Sequence, residues 1–251
     1  MGDPLRLYGL NALVFNAAGG IGEAIARTLV KHGATVVAAD TPNSGVEGHF
    51  ARVKGITGVS TSLNDTEQLA GLLEDANKRL GGLDILVNDF PLHPNSPLNA
   101  VDGELERLLR SRAALMLASC RAALPFLAKS PQGRIINIGF LRSLFGAQGD
   151  IAYYDARQDL ANMTRAVAAE SAEFAINANY IQPGAVMTPE SREVFRKDKA
   201  LRDHCIARSA ANRLGEPVDI AKVALFLASD DAVFVSGTGI TVDGGLAGDE
   251  G

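Results

Sequence analysis

Residues 12–40 spell out one structural unit. "ALVFN" (12–16) is a short apolar run of strand-forming residues, and "FNAAGGIGEA" (15–24) contains a glycine-rich turn. "IGEAIARTLVKHG" (21–33) follows, with Ile21, Ile25 and Leu29 four apart on one helical face and Gly33 as a stop. "ATVVAAD" (34–40) is a second apolar run. Two apolar strands joined by a helix must lie parallel, because the helix carries the chain back to the start of the sheet. The same alternation recurs. "TEQLAGLLEDANKRLGG" (66–82) reads as an amphipathic helix and "LDILVND" (83–89) as a strand. A long helix over about 102–128 leads to the strand "GRIINIG" (133–139), and a helix over about 152–175 leads to "INANYIQPG" (176–184). "IAKVALFLASD" is a helix and "GITVDGG" a last strand. Near-continuous apolar strands alternating with helices predict an α/β fold, a doubly wound Rossmann-type parallel sheet with helices on both faces. No linker, repeat or low-complexity tract divides the 251 residues, which predicts a single domain over 1–251.

Composition narrows the partners. A net charge of −5 with mixed signs argues against nucleic acid and anionic membranes, since an acidic surface attracts neither. No run of about 18 apolar residues is free of charge, so no membrane span is expected. The N-terminus has no basic segment followed by an apolar run, and the two cysteines, Cys120 and Cys205, read as reduced structural thiols. The expected location is cytoplasmic. The histidines show no metal-ligand pattern: His32 falls at a helix end, His49 in a loop, His204 in a polar helix, and His93 in the loop "PLHPNSP". No metal site is expected.

In a doubly wound sheet, ligands bind outside the carboxyl ends of the strands. Asn16, Asp40, Asp89, Gly139 and Pro183–Gly184 all fall at predicted strand ends. Glycines in "FNAAGGIGEA" let the backbone turn sharply and approach a pyrophosphate at a helix N-terminus. Asp40, ending the next strand, can accept both ribose hydroxyls and would repel a 2′-phosphate, which favours NAD(H) over NADP(H).

These segments together resemble the short-chain dehydrogenase/reductase family over nearly the whole chain. The matches run in order: "NAAGGIG", "LDILVN", "GRIINI", "AYYDAR", "NANYIQPGAVMTP" and "NRLGEPVDIAKVALFLASDDAVFVSGTGITVDGG". The resemblance implies an NAD(H)-dependent oxidoreductase acting on a small-molecule alcohol or ketone, assembled as a homodimer or homotetramer. It implies cofactor contacts at Asn16, Gly20, Ile21, Gly22, Asp40, Leu63, Asn88, Pro183, Gly184, Val186 and Thr188. It also exposes departures. The first glycine of the family's turn is Asn16, which tolerates a left-handed backbone. The family's Asn-Asn-Ala-Gly is "NDFP" here, placing Phe90 where a small residue meets the cofactor's ribose.

The family's catalytic Asn, Ser, Tyr and Lys fall on Arg112, Phe140, Tyr153 and Arg157. Tyr153 and Arg157, four apart, share a helical face, so the guanidinium can favour a phenolate that otherwise has a pKa of about 10. Arginine keeps its proton, however, and cannot relay one. Phe140 donates no hydrogen bond, and losing such a donor costs on the order of 10²–10³ in rate. Ser143 is the expected replacement, with Arg142 and Tyr154 as alternatives. Three readings follow. The first is an oxidoreductase with an atypical site. The second is a family member that kept the fold as a scaffold or regulator. The third is a nicotinamide-independent enzyme similar to the halohydrin dehalogenases, which pair Tyr with Arg and share an Asn-Asp strand end, but which also use the serine and replace the glycine turn with an aromatic. Residues 190–211, "ESREVFRKDKALRDHCIARSAA", correspond to the family's substrate lid. Their charge fits either a polar substrate or a solvated helical face.

Overall fold

The computed structural model describes residues 6–90, 104–140 and 151–245, with side chains over 6–90, 107–140 and 156–245. Its strands are β1 (Asn11–Phe15), β2 (Thr35–Asp40), β3 (Ile56–Ser60), β4 (Ile85–Asn88), β5 (Arg134–Ile138), β6 (Asn177–Pro183) and β7 (Gly239–Val242). They form one parallel sheet in the order β3-β2-β1-β4-β5-β6-β7. The helices are α1 (Gly20–Lys31), α2 (Val46–Phe50), α3 (Thr66–Leu80), α4 (Glu104–Leu127), α5 (Ile151–Glu170), α6 (Pro189–Lys197), α7 (Lys199–Arg208) and α8 (Pro217–Ala228). This is the doubly wound α/β architecture that the alternation predicts.

Period-2 alternation along each strand sends successive residues to opposite faces. Ala12, Val14, Val36, Ala38, Ile136 and Ile138 pack with Ile21, Ile25 and Leu29 of α1 and with Ile220 and Ala224 of α8. Leu13, Phe15, Val37, Leu86 and Ile135 pack on the other side with Leu69 and Leu73 of α3, Met116 and Cys120 of α4, and Leu160 and Val167 of α5. Both faces are therefore covered, which is why the strands read as continuous apolar runs.

Helix ends follow local chemistry. Asp65 caps α3, its side chain accepting from the N–H groups of Glu67 and Gln68, and Gly81 closes the helix in the left-handed region at φ 76°. The predicted element limits hold to within a few residues, with two differences. The edge strand β3, "ITGVS", has a glycine at its centre and too little apolar character to stand out, yet β2 supplies its hydrogen-bonding partner. His49, expected in a loop, lies in α2, because Val46 and Phe50 are buried and wind the segment around them. Its Nε2 is 2.8 Å from Glu23 Oε1.

Order on the sheet reverses direction at β1, whose neighbours are β2 and β4. The crevice this opens lies above the β1–α1 turn. There α1 approaches the strand so closely that a Cβ on Gly22 would stand 2.2 Å from the Asn16 carbonyl oxygen. A side chain at this position must push helix and strand apart. Gly22→Ala is expected to lower stability by about 2–3 kcal/mol in urea unfolding, as overpacking does where backbone cannot yield.

Candidate functional site

The crevice holds a cavity of about 750 Å³. Asn16, Asp40, Asp89 and Gly139 line it from the ends of β1, β2, β4 and β5, and Gly19, Gly20 and Ile21 line it from the start of α1. Thr41 to Ser44, Ser62 to Asn64, Thr188, Pro189, Glu190, Phe90 and Phe140 complete the lining.

The turn reaches this shape through two left-handed residues, Asn16 at φ 54° and Gly20 at φ 58°. Asparagine is among the few side chains that accept this conformation at small cost. Gly19, preceding α1, has no side chain to cap the helix, so its first N–H groups are left to other acceptors.

Asp40 is 5% exposed, and its carboxylate is held from two sides. Oδ2 accepts from the Ala18 N–H at 2.8 Å and Oδ1 from the Thr41 N–H at 2.6 Å. The group is thereby fixed at the cavity edge with lone pairs to spare.

Three of the departures from the family pattern meet in space. Asn16 Nδ2 donates to Asp89 Oδ2 at 3.4 Å. The Gly22 N–H also favours the Asp89 carboxylate, as does the positive charge of Arg112. Arg112 is 6% exposed and donates to the Phe90 carbonyl oxygen through Nη1. Burial is the largest influence on both charged groups. It raises Asp89 to about 7 against the pull of Asn16, Arg112 and Gly22, with Glu190 adding to the rise. It lowers Arg112 to about 9, with Asp89 opposing. Asparagine, aspartate and arginine here form one electrostatic cluster.

Phe90 does not stand out into the cavity. It is 5% exposed and stacks on Phe15 at 5.0 Å between ring centroids, so it forms floor and core together. Phe140 is equally buried, and its carbonyl oxygen accepts from Gln182 Nε2 at 2.8 Å.

The remaining expected residues divide. Leu63 and Ile21 line the cavity while their side chains belong to the core. Thr188 lines it too, but its Oγ1 accepts from the Ser191 N–H at 3.2 Å and caps α6. Asn88 lies beneath the cavity, fully buried. Its Nδ2 donates to Asn137 Oδ1 at 2.8 Å, and its Oδ1 accepts from Ser119 Oγ at 2.7 Å. Pro183, Gly184 and Val186 continue from β6 toward α6 and are not among the described lining residues. Arg157 Nη2 donates to Thr241 Oγ1 of β7 at 3.4 Å. Tyr153 lies in the first turn of α5, its side chain outside the described residues, as is the whole of Ser143.

Residues 41–44, Ser62 and Asn64 were not named as cavity walls by sequence reasoning, and Glu190 was read only as the start of the charged 190–211 segment. The available signal was positional, since they follow β2, β3 and β6 on the carboxyl side of the sheet. Among the described lining residues three carry carboxyls, Asp40, Asp89 and Glu190, and none is basic. Among the described residues, no cluster of metal-ligating side chains occurs and no helix is long and apolar enough to cross a membrane.

A family model described as enoyl-(acyl carrier protein) reductase matches residues 17–247. The chain is similar to the 3-oxoacyl-(acyl-carrier-protein) reductase of Pseudomonas aeruginosa, with 34% identity over 247 residues, 96% of this chain and 99% of that one. It is similar to the enzyme of the same name from Vibrio harveyi, with 31% identity over 245 residues and the same coverage, 96% and 99%. Among solved structures it is similar to 2-keto-3-deoxy-D-gluconate dehydrogenase from Streptococcus agalactiae, with a TM-score of 0.81 and 29% identity over 97% of this chain and 96% of that chain.

The electrostatics of Asp89 make a thermodynamic prediction. Its folded value of about 7 lies above its ordinary 3.8, so between those pH values the folded state binds the extra proton. Stability from this group is therefore full below the ordinary value and falls as pH rises toward 7. Asp89→Asn is expected to remove that slope from urea-denaturation curves measured between pH 5 and pH 8, and to be the more stable protein relative to wild type at the upper end.

Proposed function

The chain belongs to the short-chain dehydrogenase/reductase family, and from that premise we propose that it is an NAD(H)-dependent oxidoreductase acting on a small alcohol or ketone. The observation that carries the reading is Asp40, held by two backbone N–H groups at the edge of the same cavity that the α1 turn lines.

The residues present fit a dinucleotide. A Cβ on Gly20 would stand 3.6 Å from the Thr188 Cβ, and one on Gly19 would stand 3.7 Å from the Pro189 Cγ. These are ordinary contacts, and without them Gly19 and Gly20 present bare backbone to the cavity. The N–H groups opening α1 would hold the diphosphate, aided by the helix dipole. Asp40 would accept the adenosine ribose hydroxyls, and Leu63 with Ser62 and Asn64 would flank the base. A carboxylate with no basic side chain among the described lining residues disfavours a 2′-phosphate. When bound, the nicotinamide supplies the hydride acceptor or donor.

On the protein side, Tyr153 would hold the proton exchanged with the substrate oxygen. A cation nearby favours its phenolate, and Arg157, one turn along α5, carries that charge permanently. The relatives' names describe a 3-oxoacyl reductase and a keto-sugar-acid dehydrogenase, both consistent with chemistry at a ketone or secondary alcohol. The same resemblance supports a homodimer or homotetramer.

One observation favours a second reading, a family member that binds without turnover. Phe140 forms the wall where the family has its serine, and it offers only hydrocarbon and a carbonyl oxygen already accepting from Gln182.

Calorimetry is expected to show NAD⁺ binding and weaker NADP⁺ binding. No NAD⁺ binding at millimolar concentration removes the oxidoreductase reading. Asp40→Asn is expected to narrow the preference by about tenfold or more, the worth of about 1.4 kcal/mol. With a panel of ketones and NADH, Tyr153→Phe is expected to abolish measurable turnover. Wild-type protein that binds NADH yet reduces nothing on the panel would favour the second reading.

A further inference from the structure

Asp89 puts a negative charge inside the cavity at the point where the α1 turn presents its N–H groups. Its carboxylate receives Asn16 Nδ2 at 3.4 Å and is favoured by the Gly22 N–H, the third residue of α1. A residue at the end of β4 thus supplies the acceptor that Gly19 cannot. Gly20 and Ile21, the two preceding residues of the helix, line the same cavity. An anion bound at those N–H groups would share the helix terminus with Asp89.

We infer that Asp89 couples proton uptake to dinucleotide binding, so that the protein takes up a proton as the diphosphate docks and its affinity falls as pH rises. This rests on the dinucleotide reading above and adds to it a regulation of the same site.

The balance of charges around Asp89 makes the group responsive. From α4, Arg112 favours the carboxylate, and from the β1–α1 turn Asn16 and the Gly22 N–H do the same. From α6, Glu190 opposes it, and burial opposes it most. Asp40, at the end of β2, is a further carboxyl on the wall of this cavity. The opposing influences leave Asp89 at about 7, where a small change in field moves a large fraction of a proton. A diphosphate carries charge of the same sign as Asp89 and displaces water that would screen it. Both effects disfavour the carboxylate further. Binding energies and proton affinities are reciprocal, so a ligand that raises the proton affinity of Asp89 binds more tightly when Asp89 is already protonated. Below about pH 6 the group is neutral in free and bound protein, and affinity is flat. Above about pH 7 binding draws up to one proton per site from solution, and affinity declines.

The test is titration calorimetry with NAD⁺ on the full chain at pH 6 and pH 8.5. It is repeated at pH 7.5 in two buffers of different ionisation enthalpy, so that the difference in heat counts protons. Wild type is expected to bind about fivefold or more weakly at pH 8.5 than at pH 6, with uptake of a fraction of a proton per site at pH 7.5. Asp89→Asn, which keeps an oxygen acceptor for Asn16, is expected to show less than a twofold change and no uptake. Glu190→Gln removes an opposing carboxylate and is expected to move the midpoint to lower pH while preserving the effect. Equal pH dependence in wild type and Asp89→Asn overturns the inference and leaves the dinucleotide reading standing, as does the absence of proton uptake by wild type. Absence of NAD⁺ binding at both pH values overturns both. Because the proton count is read on wild type alone, a variant that fails to fold does not rescue the inference.

Discussion

The approach of α1 to the end of β1 governs the rest of the molecule. Gly22 lies against the Asn16 carbonyl with no room for a Cβ, which sets the angle at which the helix leaves the strand. Helix α1 packs against α8 on one face of the sheet, while the Ala18 N–H of the turn reaches Asp40 at the end of β2 and the Gly22 N–H reaches Asp89 after β4. The cavity follows from this geometry. Its walls are strand ends and the segments after them, gathered where strand order changes direction. Loosening the turn would disturb a core face and a binding face at once.

Within that frame the chain carries an unusual charge arrangement. Taken singly, Asn16, Asp89 and Arg112 look like three separate losses from the family pattern. In the fold they answer one another: the amide of Asn16 reaches Asp89, and Arg112 is the buried cation whose field Asp89 feels. A buried guanidinium without an anion nearby would cost several kcal/mol, and so would the reverse. The cluster also sits beside the helix terminus proposed for the diphosphate, so its cost is borne where ligand charge can act on it. Phe90 belongs to the same rearrangement. Its ring joins Phe15 in the core, while its carbonyl oxygen receives Arg112.

Most of the fold was legible in one dimension because strand and helix periodicities report burial directly. The runs ending in Phe15, Asp40, Asn88, Ile138 and Pro183 each became a strand of the parallel sheet. The edge strand β3 escaped notice because it is buried against one neighbour only and carries a glycine where Val46 passes close by. Cavity-lining residues were legible where a backbone rule applied, as with Gly20 of the turn and Asp40 at the acidic end of β2. They were not legible where side-chain direction decided the outcome. Asn88 faces down into a hydrogen-bonded network with Asn137 and Ser119. Nothing in its spacing distinguishes that direction from one facing the cavity.

What the sequence by itself determined is the class of architecture, the end of the sheet at which the cavity opens, and the carboxylate at the end of β2. These follow from period, from backbone freedom at glycine and from chain order, all of which are local. Only the tertiary structure decided that Asn16, Asp89, Arg112 and Glu190 act on one another, that Phe90 lies in the floor rather than across the cavity, and that Asn88 is internal. Those outcomes depend on influences between residues as much as 101 positions apart, such as the charge of Glu190 acting on Asp89. Electrostatic fields and packing act through distance in space, and distance along the chain does not record it.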